Sequence, residues 1–219
     1  MTVSVALFLT FEGMDGSGKT TQLKLLLEYL ESRGIDFVFT REPGGTPLAE
    51  RIRELLLDPA HAGMSVVAEA LLFAAGRTDH VNRVIRPALE AGKVVICDRF
   101  VDSSLVYQGY AGGLPLEFLI QINEMATGAL KPHRTIVLDI DPVLALQRKN
   151  GEAADRIEQK DLWFHQQVRE GYRELARMEP RRIKLVDASG PVEEVQRRIR
   201  SLVDEVLPAR SASRLQRGT

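Results

Sequence analysis

A glycine-rich segment near the start of the chain constrains the fold more than any other feature of the sequence. Residues Gly13 to Thr20 read Gly-Met-Asp-Gly-Ser-Gly-Lys-Thr and match the pattern G-x-x-x-x-G-K-[ST]. The apolar run Val5 to Phe11 precedes this motif, and a helical pattern, Thr20 to Ser32, follows it. A strand, a glycine-rich turn and a helix in this order predict a loop whose backbone N–H groups and helix N-terminus hold phosphate.

The rest of the sequence alternates between strand and helix patterns. Five nearly continuous apolar runs are typical of strands covered on both faces of a parallel sheet: Val5 to Phe11, Phe37 to Thr40, Val94 to Cys97, Thr135 to Ile140 and Ile183 to Val186. The helical patterns are Thr20 to Ser32, Pro47 to Leu57, Val66 to Ala91, Leu116 to Met125, Pro142 to Lys149, Lys160 to Met178 and Val192 to Leu207. The alternation predicts an α/β, P-loop NTPase-type three-layer fold, with a five-stranded parallel sheet flanked by helices. We expect one domain over residues 1–207 and a flexible tail over residues 208–219.

Charge and cysteine content narrow the class of protein. The 219 residues include 29 Lys and Arg against 30 Asp and Glu, a formal net charge of -1, so we expect no nucleic acid partner. The single cysteine, Cys97, favours a reducing compartment and a cytoplasmic location. No Lys or Arg precedes the apolar start of the chain, which we therefore interpret as a strand and not as a signal sequence. No run approaches the roughly 18 apolar residues of a membrane-spanning helix, so we expect no membrane partner.

The glycine-rich loop predicts the residues that hold a donor nucleotide. Lys19 is expected to reach the β- and γ-phosphates of ATP, and the Thr20 hydroxyl to bind Mg²⁺. Asp98 follows the apolar run Val94 to Cys97, where a carboxylate would support the magnesium ion, although an Asp at a strand end is also a common turn residue. The predicted ATP-binding residues of the loop are Gly13, Met14, Asp15, Gly16, Ser17, Gly18, Lys19, Thr20 and Thr21.

Two arginines follow neighbouring strands of the predicted sheet. Arg41 stands in Thr-Arg-Glu-Pro-Gly-Gly-Thr46, and Arg99 stands in Asp-Arg-Phe-Val-Asp-Ser-Ser104. Because the guanidinium group binds a phosphate dianion in a bidentate manner, both are candidates for a second phosphate site; surface salt bridges are the alternative. A triphosphate loop facing an arginine-held phosphate predicts a nucleotide kinase, whose acceptor phosphate needs no general base.

Five short segments together form a specific pattern: Phe-Glu-Gly-Met-Asp-Gly-Ser-Gly-Lys-Thr-Thr21, Arg-Glu-Pro-Gly-Gly-Thr46, Asp-Arg-Phe-Val-Asp-Ser-Ser104, Tyr-Gln-Gly-Tyr110 and Asp-Arg-Ile-Glu158. The pattern resembles that of bacterial thymidylate kinases, from about Val5 to about Leu207. The resemblance implies an enzyme that transfers the γ-phosphoryl group of Mg·ATP to dTMP, giving dTDP, and that forms a homodimer through helices. A kinase for another nucleoside monophosphate, or a P-loop switch or assembly factor, is the alternative interpretation.

The resemblance also implies roles for individual residues on the acceptor side. Asp15 would hold the sugar 3′-hydroxyl, while Arg41 and Arg99 would clamp the acceptor phosphate. Phe73 and Arg77 lie four residues apart, a spacing compatible with stacking on thymine and bonding its carbonyl. Without the resemblance, Phe73 is more typical of an ordinary core residue. The other dTMP-binding residues that the resemblance implies are Ser104 and Gln108 for the base and Tyr107 for the deoxyribose.

A lid over the phosphates is the last implication of the resemblance. Members of the family place a catalytic arginine either in the glycine-rich loop or in a flexible lid. Gly16 occupies the loop position here, so the lid, about residues 147–157, is expected to supply the cation from Arg148, Lys149 or Arg156. Arg156 is the first choice, with Arg148 sharing the charge stabilisation or lying on adenine; a solvated polar loop is the alternative. The predicted catalytic residues are Lys19, Arg99, Arg156 and Arg148.

Overall fold

The computed structural model describes residues 6–149 and 155–207. Five strands form one sheet in the order β2-β3-β1-β4-β5, and every pairing is parallel. Their bounds are β1 Leu7–Glu12, β2 Phe37–Arg41, β3 Val94–Asp98, β4 Arg134–Asp139 and β5 Ile183–Asp187. The predicted five-stranded parallel sheet is confirmed. Val5, residues 150–154 of the predicted lid and the predicted tail lie outside the described residues.

Consecutive residues of the central strands face two different cores, because side chains alternate between the faces of a strand. Leu7, Leu9 and Phe11 of β1 belong to the larger core, whereas Phe8 belongs to the smaller one. The residues of β3 divide between the cores in the same way. Helices therefore cover both faces of the sheet, which explains why these strands read as continuous apolar runs.

The helices pack on both sides of the sheet, and four of the described α-helices begin at a residue whose side chain caps the first turn. The Thr46 hydroxyl accepts a hydrogen bond from Ala49 N at 3.1 Å, and Asp161 Oδ1 accepts one from Phe164 N at 2.8 Å. Within the described residues the α-helices are α1 Lys19–Ser32, α2 Pro47–Leu57, α3 Val66–His80, α4 Arg86–Glu90, α5 Val101–Ser104, α6 Leu116–Thr127, α7 Pro142–Arg148, α8 Leu162–Met178 and α9 Val192–Asp204. None of them is both long and apolar enough to cross a membrane.

Two helical segments differ from the sequence prediction. The pattern Val66 to Ala91 predicted one helix, but a π-helical turn, Val81–Ile85, separates α3 from α4. Pro87 explains the change, because it has no N–H for the regular helical hydrogen bond. The second difference is the helical stretch after β3, where α5 continues into a π-helical segment, Leu105–Tyr110. Its sequence has weak helix propensity, and burial of most of its side chains overrides that propensity.

Candidate active site

The glycine-rich loop joins β1 to α1 and borders one cavity, here called the donor cavity. Gly13 and Gly16 adopt φ values of 131° and 78°, in the left-handed region that favours glycine. A Cβ atom at Gly13 would lie 2.7 Å from the carbonyl oxygen of Leu138, and one at Gly16 would lie 2.1 Å from that of Ala145. Because Ala145 belongs to α7, the close approach of this helix excludes any side chain at residue 16, including an arginine.

Lys19 lies buried within the loop. Its Nζ atom donates to Gly13 O at 2.9 Å and to Met14 O at 3.2 Å, and it lies 3.7 Å from Asp15 Oδ1. Burial lowers the pKa of Lys19, and the positive charge of Arg99 lowers it further. The ammonium group is thus held within the loop whose backbone N–H groups are predicted to bind phosphate. The donor cavity is lined by Asp15, Gly16, Ser17, Gly18, Lys19, Thr20, Thr21, Gln22, Arg148, Lys149, Ala188, Gly190, Val192 and Val195.

Arg148 ends α7 at the rim of the donor cavity. Its Nη1 atom donates to Ala188 O at 3.1 Å, and its Nη2 atom donates to Ser189 O at 3.4 Å. Val192 and Val195 of α9 add apolar surface to the same cavity. A planar guanidinium group beside an apolar wall suits the flat ring of a nucleobase. The ATP-binding role of Arg148 stays a prediction, and its position is compatible with that role.

Asp98 ends β3 with one oxygen, Oδ1, buried and without a hydrogen-bond partner among the described residues. Asp98 and Thr20 line the same groove beside the loop, and Ser17 Oγ is another buried oxygen for which this part of the chain supplies no partner. A buried acceptor without a partner costs about 1–3 kcal/mol. Carboxylate and hydroxyl oxygens are ligands that Mg²⁺ accepts together with nucleotide phosphates. These residues therefore fit a magnesium ion.

A second cavity, here called the acceptor cavity, lies on the other side of Asp15. Its walls come from the turn after β2, from α2 and α3, from the helical stretch after β3, and from residues 155–158 at the end of the predicted lid. Asp15 lines both cavities. The residues lining the acceptor cavity are Asp15, Glu42, Pro43, Arg53, Leu57, Phe73, Arg77, Arg99, Ser103, Ser104, Tyr107, Gln108, Asp155, Ile157 and Glu158.

Arg99 carries the strongest sign of a functional constraint in the cavity. Its φ angle is 70°, which is uncommon for a residue other than glycine, and its backbone N donates to Phe11 O at 2.8 Å. Its Nη2 atom donates to Asp15 Oδ1 at 2.9 Å, and its guanidinium carbon lies 5.2 Å from the centre of the Tyr107 ring. Burial opposes ionisation of Asp15, but Arg99 and then Lys19 hold the pKa of this carboxyl below its ordinary value. One carboxylate therefore stands between the cations of the two cavities.

Glu12 is a buried carboxyl group close enough to Arg99 for their charges to interact. The sequence analysis did not select it as a site residue. It is fully buried at the end of β1, and its carboxylate accepts hydrogen bonds from Phe100 N at 2.8 Å, from Ser103 Oγ and from the Tyr172 hydroxyl at 2.9 Å. Burial raises the pKa of Glu12 to about 7; Asp102 adds to the rise, while Arg99 opposes it. A strand-end Glu in Phe-Glu-Gly is a weak signal, because only the fold brings its partners to it.

Arg53 is another arginine that lines the acceptor cavity. The sequence analysis did not select it. Arg53 of α2 lines the cavity and donates to Pro43 O at 3.0 Å. Burial, and then Arg41 and Arg99, lower the pKa of Arg53, as expected for cations gathered around a place for an anion. Arg41 is not among the lining residues: its side chain is 51% exposed and pairs with Glu50 at 3.0 Å. The role of Arg41 in phosphate binding stays a prediction, since the structure directs it to Glu50.

Arg77 is buried in the wall of the acceptor cavity, which Phe73 and Tyr107 also line. Its Nε atom donates to Glu42 Oε2 at 2.6 Å, its Nη1 atom to Ser104 Oγ at 3.0 Å and to Asn123 Oδ1, and its Nη2 atom to Phe100 O at 3.1 Å. Within the described residues these bonds engage four of its five N–H donors, so one remains for a ligand. The predicted base- and sugar-binding residues that line this cavity are Phe73, Arg77, Ser104, Tyr107 and Gln108.

Arg156, the first choice for the catalytic cation, lies away from the donor cavity. It is 3% exposed, its Nη2 atom lies 2.6 Å from Glu69 Oε2, and its Nε atom donates to Leu56 O at 2.8 Å. Its backbone N also donates to Leu57 O at 3.2 Å. The structure thus ties Arg156 to α2 and α3 and not to the loop at Lys19. The described structure places Arg156 beside the acceptor cavity. Its catalytic role at the donor phosphates stays a prediction.

The structure therefore divides the predicted site residues into groups. The loop from Asp15 to Thr21 and Arg148 line the donor cavity, while Gly13 and Met14 accept hydrogen bonds from Lys19 instead. Seven of the predicted dTMP-binding residues share the acceptor cavity, namely Asp15, Phe73, Arg77, Arg99, Ser104, Tyr107 and Gln108. Two cavities that share one carboxylate and each contain a buried cation, on a parallel sheet with this loop, are typical of a P-loop phosphotransferase.

Comparison with known proteins gives the family. The thymidylate kinase family model matches residues 11–199. The chain belongs to the thymidylate kinase family, an enzyme family of phosphotransferases.

Individual relatives agree with this family assignment. A thymidylate kinase of Symbiobacterium thermophilum is 70% identical over 206 residues, which cover 94% of this chain and 96% of that protein. A thymidylate kinase of Syntrophotalea carbinolica is 49% identical over 202 residues, covering 89% of this chain and 94% of that protein. The crystal structure of thymidylate kinase from Ehrlichia chaffeensis superposes with a TM-score of 0.76 at 34% identity, covering 91% of this chain and 99% of that chain.

Proposed function

We propose that this chain transfers the γ-phosphoryl group of ATP to dTMP, producing ADP and dTDP. The observation that carries the proposal is the position of Asp15, which lines both cavities and lies 3.7 Å from Lys19 Nζ and 2.9 Å from Arg99 Nη2. The two cations therefore face one gap, as direct transfer between two bound phosphates requires. Thymidylate kinases among the relatives support dTMP as the acceptor.

The reaction joins an oxygen of the acceptor phosphate to the γ-phosphorus and breaks the bond between that phosphorus and the β–γ bridging oxygen. The electron pair of the broken bond leaves with ADP. The acceptor phosphate, with a second pKa of about 6, is largely a dianion at neutral pH and attacks without a general base. Catalysis then depends on orientation and on neutralising the charge of the transferred group.

On the donor side, the loop N–H groups and Lys19 bind the β- and γ-phosphates. Thr20 and Asp98 would hold Mg²⁺, which, when bound, neutralises phosphate charge. Arg148 is favoured over Arg156 as the further cation near ATP, because Arg148 lines the donor cavity. A lid over residues 147–157 that brings these groups onto the phosphates remains part of the proposal.

On the acceptor side, Arg99 and Arg53 bind the phosphate of dTMP, with Arg41 as a more distant contributor. Asp15 accepts a hydrogen bond from the sugar 3′-hydroxyl, and Tyr107 packs against the sugar on the side where a 2′-hydroxyl would lie. Phe73 stacks on the base, while the group that reads its polar edge consists of Arg77, Ser104 and Gln108. All of these side chains except Arg41 line the acceptor cavity.

A homodimer is part of the proposal. Large apolar side chains are exposed on α2, α3 and α6, namely Leu48, Leu55, Val67, Leu71, Ile120 and Met125, and such surface suits a helix-to-helix interface. Light scattering coupled to gel filtration is expected to give twice the chain mass of 24.4 kDa. A mass of one chain at micromolar concentration would contradict the dimer.

We also propose a cytoplasmic location and small nucleotides, not nucleic acids, as partners. Cys97 is a free, buried cysteine, and a chain whose single cysteine forms no internal disulfide suits a reducing compartment. The formal net charge of -1 does not favour a polyanion.

The test of the function is a coupled assay of ADP release with dTMP, dUMP, dCMP, AMP and GMP as acceptors. We expect the highest kcat/KM with dTMP and dependence on added Mg²⁺. Preference for another monophosphate would overturn the choice of substrate. ADP release that ignores every monophosphate would instead favour a nucleotide-driven switch.

A further inference from the structure

We propose that Glu69 and Arg156 are positioning residues that fix the amide orientation of Gln108, so that the acceptor cavity selects a 4-oxo pyrimidine over a 4-amino pyrimidine. The inference rests on the proposed function. It gives Arg156 a role other than the predicted one at the donor phosphates, and it assigns Glu69, which the sequence analysis did not select.

The three side chains form one buried chain of contacts behind the cavity wall. Glu69, Gln108 and Arg156 are 7%, 1% and 3% exposed. Gln108 Nε2 donates to Glu69 Oε1 at 2.7 Å, and Arg156 Nη2 lies 2.6 Å from the other carboxylate oxygen, Glu69 Oε2. Arg156 itself is fixed by its bonds to the carbonyl oxygens of Leu56 and Leu57. The carboxylate is thus held between a cation and an amide.

Glu69 determines which end of the Gln108 amide faces the ligand. An ionised carboxylate only accepts hydrogen bonds, so it must receive the NH₂ group of the amide and not its oxygen. Among the described residues none donates to Gln108 Oε1. Gln108 lines the same cavity as Phe73 and Arg77, and the amide oxygen is therefore its group available to a bound base.

The resulting cavity wall contains one donor and one acceptor. Arg77 keeps one N–H that no described residue engages, and Gln108 presents a carbonyl oxygen. A 4-oxo pyrimidine offers the complement, a carbonyl at position 4 and an N–H at position 3. A 4-amino pyrimidine offers an amino group and an unprotonated ring nitrogen, so both contacts are mismatched. Buried polar groups left without partners are the main source of rejection in such sites.

The substitution Glu69→Gln tests the inference, because Arg156 is expected to fix the orientation of the new amide at residue 69. Arg156 only donates, so it will take the oxygen of the new amide and leave its NH₂ group facing Gln108. Gln108 must then turn its own NH₂ group into the cavity. The ratio of kcat/KM for dTMP to kcat/KM for dCMP is expected to fall at least about 10-fold, through weaker use of dTMP and better use of dCMP. The KM for ATP should stay unchanged.

The matched control is Glu54→Gln, the same substitution at a side chain that is 64% exposed on α2 and pairs with Arg51. It should leave the ratio at the wild-type value. If Glu69→Gln keeps the wild-type ratio, or lowers both efficiencies by the same factor, Glu69 has a structural role only and the inference is overturned.

A second variant covers the case in which Glu69→Gln does not fold, as judged by its thermal melt. Gln108→Met removes the amide and leaves the Glu69–Arg156 pair in place. Loss of the dTMP preference over dCMP by at least about 10-fold supports the inference, and retention of the preference overturns it. Failure of the proposed function is separate, because the wild-type enzyme would then show no preference for dTMP at the start.

Discussion

The donor and acceptor cavities are built in different ways. Most of the donor cavity comes from one continuous segment, residues 15–22, and the rest comes from two shorter stretches, residues 148–149 and 188–195. The acceptor cavity has no such segment: its lining residues come from six separate stretches of chain between Asp15 and Glu158. The donor cavity is therefore suited to recognise a triphosphate through local backbone geometry. The acceptor cavity is suited to recognise a nucleoside monophosphate through side chains that the fold brings together.

The electrostatics of the two cavities differ as well. The cation of the loop, Lys19, rests mainly against backbone carbonyl oxygens. Two of the three arginines that line the acceptor cavity are already paired with carboxylates, Arg99 with Asp15 at 2.9 Å and Arg77 with Glu42 at 2.6 Å. The third, Arg53, donates to a backbone carbonyl oxygen. Removal of one member of a buried pair leaves the other charge unpaired. Substitutions on the acceptor side are therefore expected to affect binding and stability together, and those on the donor side mainly the rate.

The largest expected effect is that of Lys19→Met on the donor side. Loss of a charge that stabilises the transferred group is expected to lower kcat about 1000-fold, while binding of dTMP alone changes little. Steady-state kinetics and calorimetry with dTMP measure the two quantities. Lys131→Met, at an exposed lysine far from the loop, is the control. A kcat near the wild-type value would break the assignment of Lys19 to the donor phosphates.

The next effect is a pH dependence of stability that arises from Glu12. Its folded-state pKa is about 7 against an ordinary 4.5, so the folded state holds the proton more strongly. The stability from this group is complete below about pH 4.5 and is lost as the pH rises to about 7, by about 3 kcal/mol. The charged and polar groups facing Glu12 are Asp102, Arg99, Ser103 and Tyr172.

Urea unfolding of wild type and Glu12→Gln at several pH values measures this effect. The glutamine does not titrate, so the unfolding free energy of wild type relative to the variant is expected to fall between pH 4.5 and 7.5. A difference that stays constant across this range would show that Glu12 does not titrate there.

The substitution Arg99→Ala tests the phosphate-binding role of the acceptor cavity. We expect dTMP affinity to fall about 100-fold, because a buried, prepaired cation of the acceptor phosphate is lost, and ATP affinity to stay within about 3-fold of wild type. Calorimetry with each nucleotide alone is the measurement. Arg51→Ala, whose side chain is 78% exposed, is the matched control. Unchanged dTMP affinity would reject the clamp role of Arg99.

The smallest effect separates the two remaining arginines. Arg53→Ala is expected to raise the KM for dTMP about 10-fold, and Arg41→Ala less than about 3-fold, because an exposed ion pair contributes little. The reverse order of the two effects would favour the sequence-based choice of Arg41 over the position of Arg53 in the cavity wall. The two variants serve as controls for each other, since each removes the same group.

Much of the fold was predictable because its signals are local. The continuous apolar runs predicted β1 to β5, and the helical pattern Pro47 to Leu57 predicted α2 with the bounds that the structure gives. The helical stretch after β3 was not predicted, since its residues become helical only when they are buried against α6 and α8. Local propensity is a weak guide where tertiary packing contributes more free energy.

The sequence by itself determined the phosphate-binding loop, the parallel sheet and the family, because these depend on residues that are adjacent in the chain. Only the tertiary structure decided which charged side chains share a cavity. It placed Arg53 in the wall and Arg41 with Glu50, buried Glu12 under Arg99, and paired Arg156 with Glu69. The physical reason is that burial and ion pairing act between residues far apart in sequence, and their free energy depends on distance and solvent exclusion that only the folded chain sets.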